Sequence, residues 1–527
     1  MVRQSVLLIL IVFHWMGTKT SIDSTPSFSV DFVVDFQREY FKQLCFYPKW
    51  IKSSFPQVSK LHLSKPNSNA LYLDYPIEAK FEFTPSPAPS EKSSEKSKET
   101  EKSEETGKKC HDWPQWRGCN RDGVAQETGL LQVWPENGPP LLWKVSNLGT
   151  GYSAPAVAQN RIFGLSYVDE NEVVWALNEK NGEKLWQTKI GPRGKTLYNE
   201  GPRSTPSVDG DRVYVIGIRG DLVCLNAITG KISWRKSFPD DLGGKMMSNW
   251  GYCESPLVDC QQVVGTPGAD QNALAAFDKM TGKILWRTFI PNCGGAGYSS
   301  IMPMTIDQQK IYITWLGAKR NPDGKIVSGK GLVAVNAQSG HFLWNYDRLA
   351  NGTANIPTVL IHNDKIFCSN GYPEGGSAVL QCVRMQQKPL KFQIRELAYQ
   401  PAKELQNHHG GLVLLYPHVY LGHGHKAGLP CCADFNSAKI LWKAPKSPCR
   451  GSAAVISADN HLYFRYEDGT MCLIGADPKK YLLISQFVPP ELSNKPIWSH
   501  PVIANGKLFL RDQHLLWCYQ LRCPEKK

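Results

Sequence analysis

Apolar residues in this chain come in short runs, and one position inside those runs is always small. The runs include Val174-Trp-Ala-Leu-Asn178, Leu222-Val-Cys-Leu-Asn226, Leu332-Val-Ala-Val-Asn336 and Leu516-Trp-Cys-Tyr-Gln520. The small positions form a column of eight: Ala176, Cys224, Ala276, Ala334, Cys382, Cys432, Cys472 and Cys518. Ten residues after each of the first six stands an aromatic residue: Trp186, Trp234, Trp286, Trp344, Phe392 and Trp442. The seventh offset falls on Leu482. A strand-turn-strand signature that returns every 40 to 58 residues or so predicts an all-β, eight-bladed β-propeller. Too little chain follows Cys518 for a last outer strand, so Leu141-Leu-Trp-Lys-Val145 is expected to close the ring.

One blade reads in full between Arg203 and Phe238. Ser204–Val208 is the inner strand, Arg212–Ile218 the second, Leu222–Asn226 the third, and Ile232-Ser-Trp234 opens the outer one. Turns at Asp209-Gly-Asp211 and Thr229-Gly-Lys231 separate them, with glycine supplying positive φ. The outer tryptophans are expected to pack at the seams between blades, where a large ring buries much area.

Outside residues 110–527 the pattern changes. Residues 1–21 read as a signal peptide, with Arg3 before an apolar run from Ser5 to Gly17 that is short for a membrane span of about 20 residues. A signal anchor is the alternative. Residues 22–90 do not match the repeat, and a small helical or irregular extension is expected there. Residues 91–109 are a Ser/Glu/Lys tract without aromatic or branched apolar residues, which predicts a disordered linker. The leader and the linker together predict an exported protein, secreted or periplasmic.

Charge and cysteine content refine this picture. The net charge of +13, from 60 basic and 47 acidic residues, is spread along the chain. It forms no basic stripe with interleaved aromatics, so nucleic acid is not an expected partner. Five of the fifteen cysteines occupy the small column, where they read as buried small apolar residues. Of the others, Cys110 with Cys119 and Cys253 with Cys260 are close enough in sequence to pair.

Candidate chemistry lies on the inner strands, which face the central channel of a propeller. Those strands contribute Ser153, Arg203, Glu254, Ser299, Asn355, His408, His409, Arg450 and His500. Polar residues converging on one concavity define a candidate ligand site. His408 and His409, with His423 and His425, are candidate ligands for a transition metal. Against this, adjacent histidines on a regular strand point to opposite faces. Asn351-Gly-Thr353 fits the N-glycosylation pattern. No P-loop, dinucleotide fingerprint, nucleophile elbow or zinc-finger spacing is present.

Asn226-Ala-Ile-Thr-Gly-Lys-Ile-Ser-Trp234 and Asp278-Lys-Met-Thr-Gly-Lys-Ile-Leu-Trp286 resemble the repeat of pyrroloquinoline-quinone-like (PQQ-like) propellers. From about 112 to 522 the chain is similar to the PQQ-like propeller proteins common in planctomycete-type bacteria. The matching blocks are Asp112–Gly118, Gly201–Pro206, Gly297–Ser300, Gly352–Pro357, Asn407–Gly411 and Leu510–Gln513. The superfamily includes quinoprotein dehydrogenases and a cofactor-free scaffold lipoprotein of outer-membrane β-barrel assembly, so the resemblance implies a fold rather than one activity. We therefore expect a binding or scaffold module with a protein, glycan or small-molecule partner. The alternative is a quinoprotein-type oxidoreductase acting on an alcohol or sugar. That alternative needs PQQ with Ca²⁺ held by oxygen ligands such as Glu254 and Asn355. The vicinal pair Cys431-Cys432 is superficially like one found near the cofactor in some quinoprotein alcohol dehydrogenases. Its phase, however, places it in a third strand, away from the channel.

Overall fold

A computed structural model of the protein describes residues 111–522, apart from Asn199, Pro322, Gly324 and 386–390, together with the backbone of three strands nearer the N-terminus. The chain divides into two compact units, residues 1–104 and 105–527. In the first unit the strands Ser29–Phe36, Val58–Leu63 and Tyr75–Phe83 form an antiparallel sheet with the third strand in the centre. These are strands where helix or irregular chain was expected. Alternation such as Ile77-Glu-Ala-Lys-Phe-Glu-Phe83 has the two-residue period of a strand. The expected signal peptide and the linker at 91–109 lie outside the described residues.

The second unit is built from eight four-stranded antiparallel sheets. Seven are consecutive in sequence, the first being Ala156–Ala158, Arg161–Val168, Asn171–Asn178 and Lys184–Pro192. The eighth takes Val502–Ala504, Lys507–Asp512 and Leu515–Gln520 from one end of the ring and Leu141–Val145 from the other. The closing strand was thus legible from the missing outer strand. Trp143 lies opposite Cys518, as the repeat requires.

The small column has a direct cause. Ala176 pairs with Trp186, Cys224 with Trp234, Ala276 with Trp286, Ala334 with Trp344 and Cys432 with Trp442. Directly opposed residues share a face, so a large indole leaves room only for a methyl or a thiol. Two blades depart from the ten-residue spacing. Cys382 faces Ile394 while Phe392 faces Arg384, and Cys472 faces Gln486 rather than Leu482. In the seventh blade the turn containing Asp477-Pro-Lys-Lys480 is longer, so the outer strand starts later.

Four of the outer tryptophans also reach across a seam, whereas Trp286 Nε1 donates to Gln262 Oε1 of its own blade. Trp186 Nε1 donates to Ala227 O, Trp234 Nε1 to Lys279 O, Trp442 Nε1 to Asp477 O and Trp143 Nε1 to Glu179 O, at 2.8 to 3.3 Å. Each acceptor is in the turn after the third strand of the next blade. In that turn Asn226 or Asp278 accepts from the backbone two and three residues on. A glycine at positive φ then passes beneath the indole of the preceding blade. A Cβ on Gly230 would lie 2.6 Å from the Trp186 ring, and one on Gly282 2.8 Å from that of Trp234. The Thr-Gly-Lys phrase is therefore a seam element as well as a turn.

The inner strands end on a segment that was not expected to be architectural. His111 to Ala125 crosses the ring axis and bonds to every blade. Trp113 exchanges two backbone hydrogen bonds with Val157 in blade 1, and Pro114 O accepts from Val208 N in blade 2. The buried Arg121 donates to Ser255 O, Pro256 O and Ile301 O in blades 3 and 4. Trp116 Nε1 reaches Thr358 Oγ1 in blade 5, and Arg117 Nη2 reaches Leu412 O in blade 6. Gly123 O accepts from Ser457 N in blade 7, and His111 O from Asn505 N in blade 8. Cys119 in this segment is disulfide-bonded, and Cys110, its expected partner, lies outside the described residues. Cys253 and Cys260 are both free, so the second expected pair does not form.

The seam geometry sets a stability difference. Gly282→Ala adds a clash with Trp234 to the strain of φ 70°, whereas Gly210 has φ 56° and open space around it. Gly210→Ala should cost about 1 kcal/mol, the strain alone, and Gly282→Ala roughly 2 to 4 kcal/mol. Urea unfolding of the two variants checks this; equal losses would show that the seam tolerates a side chain.

Candidate functional site

The chain approaches each inner strand in an extended conformation, and extended chain alternates its faces. Counted back from Pro155, Pro206, Pro256 and Pro501, the third residue is Tyr152, Arg203, Cys253 or Trp498, and it lines a cavity at the ring centre. The residue directly before the proline lines it too in Ala154, Ser255 and His500. The residue between them, Ser153, Ser204, Glu254 or Ser499, is buried on the other side. The expected site therefore mixed two phases. Arg203, His408, His409 and His500 line the cavity, whereas Ser153, Glu254, Ser299, Asn355 and Arg450 are not among its lining residues.

Each of the excluded groups has a structural role or an outward position. Glu254 Oε1 accepts from Thr266 N within its own blade. Asn355 is completely buried; its Oδ1 accepts from Asn351 N at 3.0 Å and its Nδ2 donates to Leu316 O at 2.9 Å, knotting blades 4 and 5. Arg450 is exposed and precedes the inner strand of blade 7, which begins at Ala453. Asn351 of the glycosylation pattern is buried and bonded to Ala354, so no glycan fits on it. Cys431 and Cys432 are free and buried in the third strand of blade 6, as their phase implied.

The cavity has a volume of about 470 Å³. Its walls are largely aromatic, from Trp116, Tyr152, Tyr198, Trp250, Tyr298, Tyr372 and Trp498. Tyr152 stacks on Trp498 with centroids 4.6 Å apart, and Tyr198 meets the same indole edge-on at 5.1 Å. Arg203 packs over Tyr152 and fixes the surrounding loops through Trp250 O, Leu197 O and Tyr198 O. Sequence reasoning missed these aromatics. Their signal was the third position before the inner-strand prolines, together with Trp116 and Arg117 of the axial segment.

The histidines gather at one side. Between Asn407 and Leu412 the inner strand of blade 6 advances five residues while its partner advances only two, from His423 to Leu421. Gly410 and Gly411 allow this bulge. A Cβ on Gly410 would lie 1.7 Å from Ala453 O, and Gly411 has φ 75°. The distortion cancels the alternation expected of a strand, so His408 and His409 both line the cavity, and His425 joins them. His423 does not; its Nδ1 accepts from Gln406 N. His409 Nε2 lies 2.9 Å from Glu467 Oε1, and His408 Nδ1 lies 2.9 Å from Ser452 Oγ. The His408 and His425 rings are 4.1 Å apart.

Electrostatics follow from burial. Desolvation, aided by His409 and His425, holds His408 far below the ordinary imidazole range. Desolvation, with Arg117 beside it, lowers His500 to about 3. Both rings are therefore neutral at pH 7. Burial is the largest single influence on Glu467 and would raise it, but the hydrogen bond and charge of His409, the backbone of Ser452 and the Trp498 indole together leave the carboxyl below its usual range. Among the described residues, Glu467 is the only carboxylate in the lining, and Arg117, Arg203 and Lys426 are its permanent cations.

Burial pushes the Glu254 carboxyl up to about 7. The folded state thus keeps a proton that the unfolded chain releases near pH 4.3. The associated stability is fully present below that pH and is lost as pH rises toward 7. Glu254→Gln should remove this slope, roughly 3 kcal/mol across the window. Urea unfolding at pH 5 and pH 7.5 reads it out; parallel pH profiles for both proteins would show that Glu254 titrates normally.

Comparison with known proteins gives the same architecture. The chain is 24% identical over 202 residues to tetrathionate hydrolase of Acidithiobacillus ferrooxidans, covering 37% of this chain and 36% of that protein. It is 32% identical over 115 residues to outer membrane protein assembly factor BamB of Burkholderia pseudomallei, covering 21% and 26%. The chain thus spans about a third and a quarter of the lengths of these two relatives. The quinohemoprotein alcohol dehydrogenase of Comamonas testosteroni superposes with a TM-score of 0.53 at 13% identity, over 80% of this chain and 82% of that one. At that identity the likeness concerns the fold alone. Residues 123–197 and 170–443 match the family profile described as outer membrane protein assembly factor BamB, and with more than half of its length so matched the chain belongs to that PQQ-type propeller family.

Proposed function

We propose that this protein is a binding module whose ligand, a small organic molecule or the end of a glycan, occupies the central cavity. The observation that carries the reading is the composition of that cavity. Seven tryptophan and tyrosine side chains surround a volume in the size range of small-ligand sites, with Arg203, Lys426 and the imidazoles placed to orient a polar group. Aromatic walls favour a flat or sugar-like ligand by stacking. The cations favour one that carries negative charge. The family description, with its outer-membrane assembly factor, supports a further role for the ring faces as a scaffold for a protein partner. The apolar run at Ser5–Gly17 and that same description support a location outside the cytoplasm.

The oxidoreductase reading requires PQQ with Ca²⁺, and the residues in place do not fit that pair. Calcium takes six to eight oxygen ligands. Glu254 and Asn355 are turned away from the cavity and engaged elsewhere, and Glu467, the one lining carboxylate among the described residues, is bonded to His409. The vicinal cysteines are buried in a third strand.

Trp116, Trp250 and Trp498 line the cavity, so ligand binding should alter tryptophan emission. A fluorescence titration with sugar acids, aromatic acids, and PQQ with Ca²⁺ is the test. Saturable binding of an acidic ligand, weakened at least about tenfold in Trp498→Leu, is expected. Undiminished binding in that variant would move the ligand out of the cavity. Stoichiometric PQQ binding with alcohol turnover would restore the oxidoreductase.

A further inference from the structure

We infer that His408, His409 and Glu467 form a transition-metal site of the zinc type on one wall of the cavity. The site goes beyond the organic ligand proposed above and does not depend on it. One ligand atom from each of the three residues lies within 4.8 Å of the other two. Zn–N and Zn–O bonds near 2.0 to 2.2 Å hold tetrahedral ligand atoms about 3.3 Å apart, so side-chain movements of about 1 Å complete the set.

A plain ion pair does not account for this arrangement. Pairing His409 with Glu467 needs neither His408 nor the bulge that brings both rings to one side. The bulge is firmly specified. Asn407 Oδ1 accepts from Gly411 N and its Nδ2 donates to Gly422 O, both at 3.0 Å, pinning the distorted strand at each end. The ligands also have orienting partners of the kind that metal sites use. Ser452 Oγ engages His408 Nδ1, leaving Nε2 to ligate, and Trp498 Nε1 donates to Glu467 Oε1 at 3.2 Å.

The donor set selects the ion. Two imidazoles and one carboxylate suit a borderline divalent cation, whereas calcium and magnesium require oxygen-rich sites. Three protein ligands leave one position of a tetrahedral ion open. All three residues line the cavity, as does His425, whose ring lies 4.1 Å from that of His408. A bound ion there would take water or an anionic group of a ligand as its fourth partner.

The test uses the full chain, dialysed against Zn²⁺ and then desalted. Elemental analysis should find one equivalent of zinc per chain, and Co²⁺ in its place should give the visible bands of a tetrahedral site. His409→Gln and Glu467→Gln should each lose most of the retained metal while keeping the far-ultraviolet circular dichroism of the parent. In the unaltered chain, Zn²⁺ should raise the unfolding temperature and a chelator should reverse the shift. This last measurement stands even if a variant fails to fold. No retained metal and no thermal shift in the parent would overturn the site. Equal retention in parent and folded variants would overturn it as well, by assigning the metal to other histidines.

Discussion

Eight blades that converge on an axis bring eight innermost strands to a place where none has a partner on its inner side. Unpaired backbone groups there are costly once buried. In this protein a single segment, His111 to Ala125, makes bonds to all eight blades. It does so unevenly. Blade 1 gets a two-bond bridge from Trp113, while blades 3 and 4 share the guanidinium of Arg121 as donor to three carbonyls. Arginine suits this task, because its planar fork presents five donors in fixed directions. Burial lowers Arg121 only to about 10, so it keeps its charge at neutral pH.

The axial segment also determines that the ring has a cavity rather than an open bore. Trp116 and Arg117 take part in its lining, and the Trp116 ring packs 4.6 Å from that of His500. Above this base the alternation of the extended approach segments selects one residue in two for the cavity. Two kinds of buried polar group result. Glu254 and Asn355 serve the backbone of their own and neighbouring blades, and their chain neighbours Ser255 and Ile356 line the cavity. A shift of one position separates structure from candidate chemistry.

Outside the axis the ring is held by a second repeated device, an indole laid over the glycine turn of the next blade. The exceptions are informative. At Trp344 the indole nitrogen finds no acceptor, and in blades 5 and 7 the outer strand slides so that Ile394 and Gln486 take the tryptophan position. His408, His409 and His425 come from blade 6, between these two irregular units, and Glu467 comes from blade 7 itself.

The sequence by itself determined the ring. Eight small residues at a regular period, the turn phrase with its glycine, and an outer strand missing at one end and present at the other are properties of a repeat. Each repeat has the same local physics, so the period is visible without coordinates. Leu141–Val145 as the closing strand and Cys432 as a packing residue were legible for that reason. The site was only half legible. Arg203 and His500 stood in the right phase and Glu254 and Asn355 in the wrong one, because treating every polar residue near an inner strand as channel-facing did not separate the two alternating faces of the extended approach segment. The joint presence of His408 and His409 in the cavity was beyond reach of any periodic argument, since it depends on a bulge and on two glycines pressed against Ala453 and Arg117. Local pattern fixes which strands exist. Only the packing of distant segments at the axis decides which of their side chains meet.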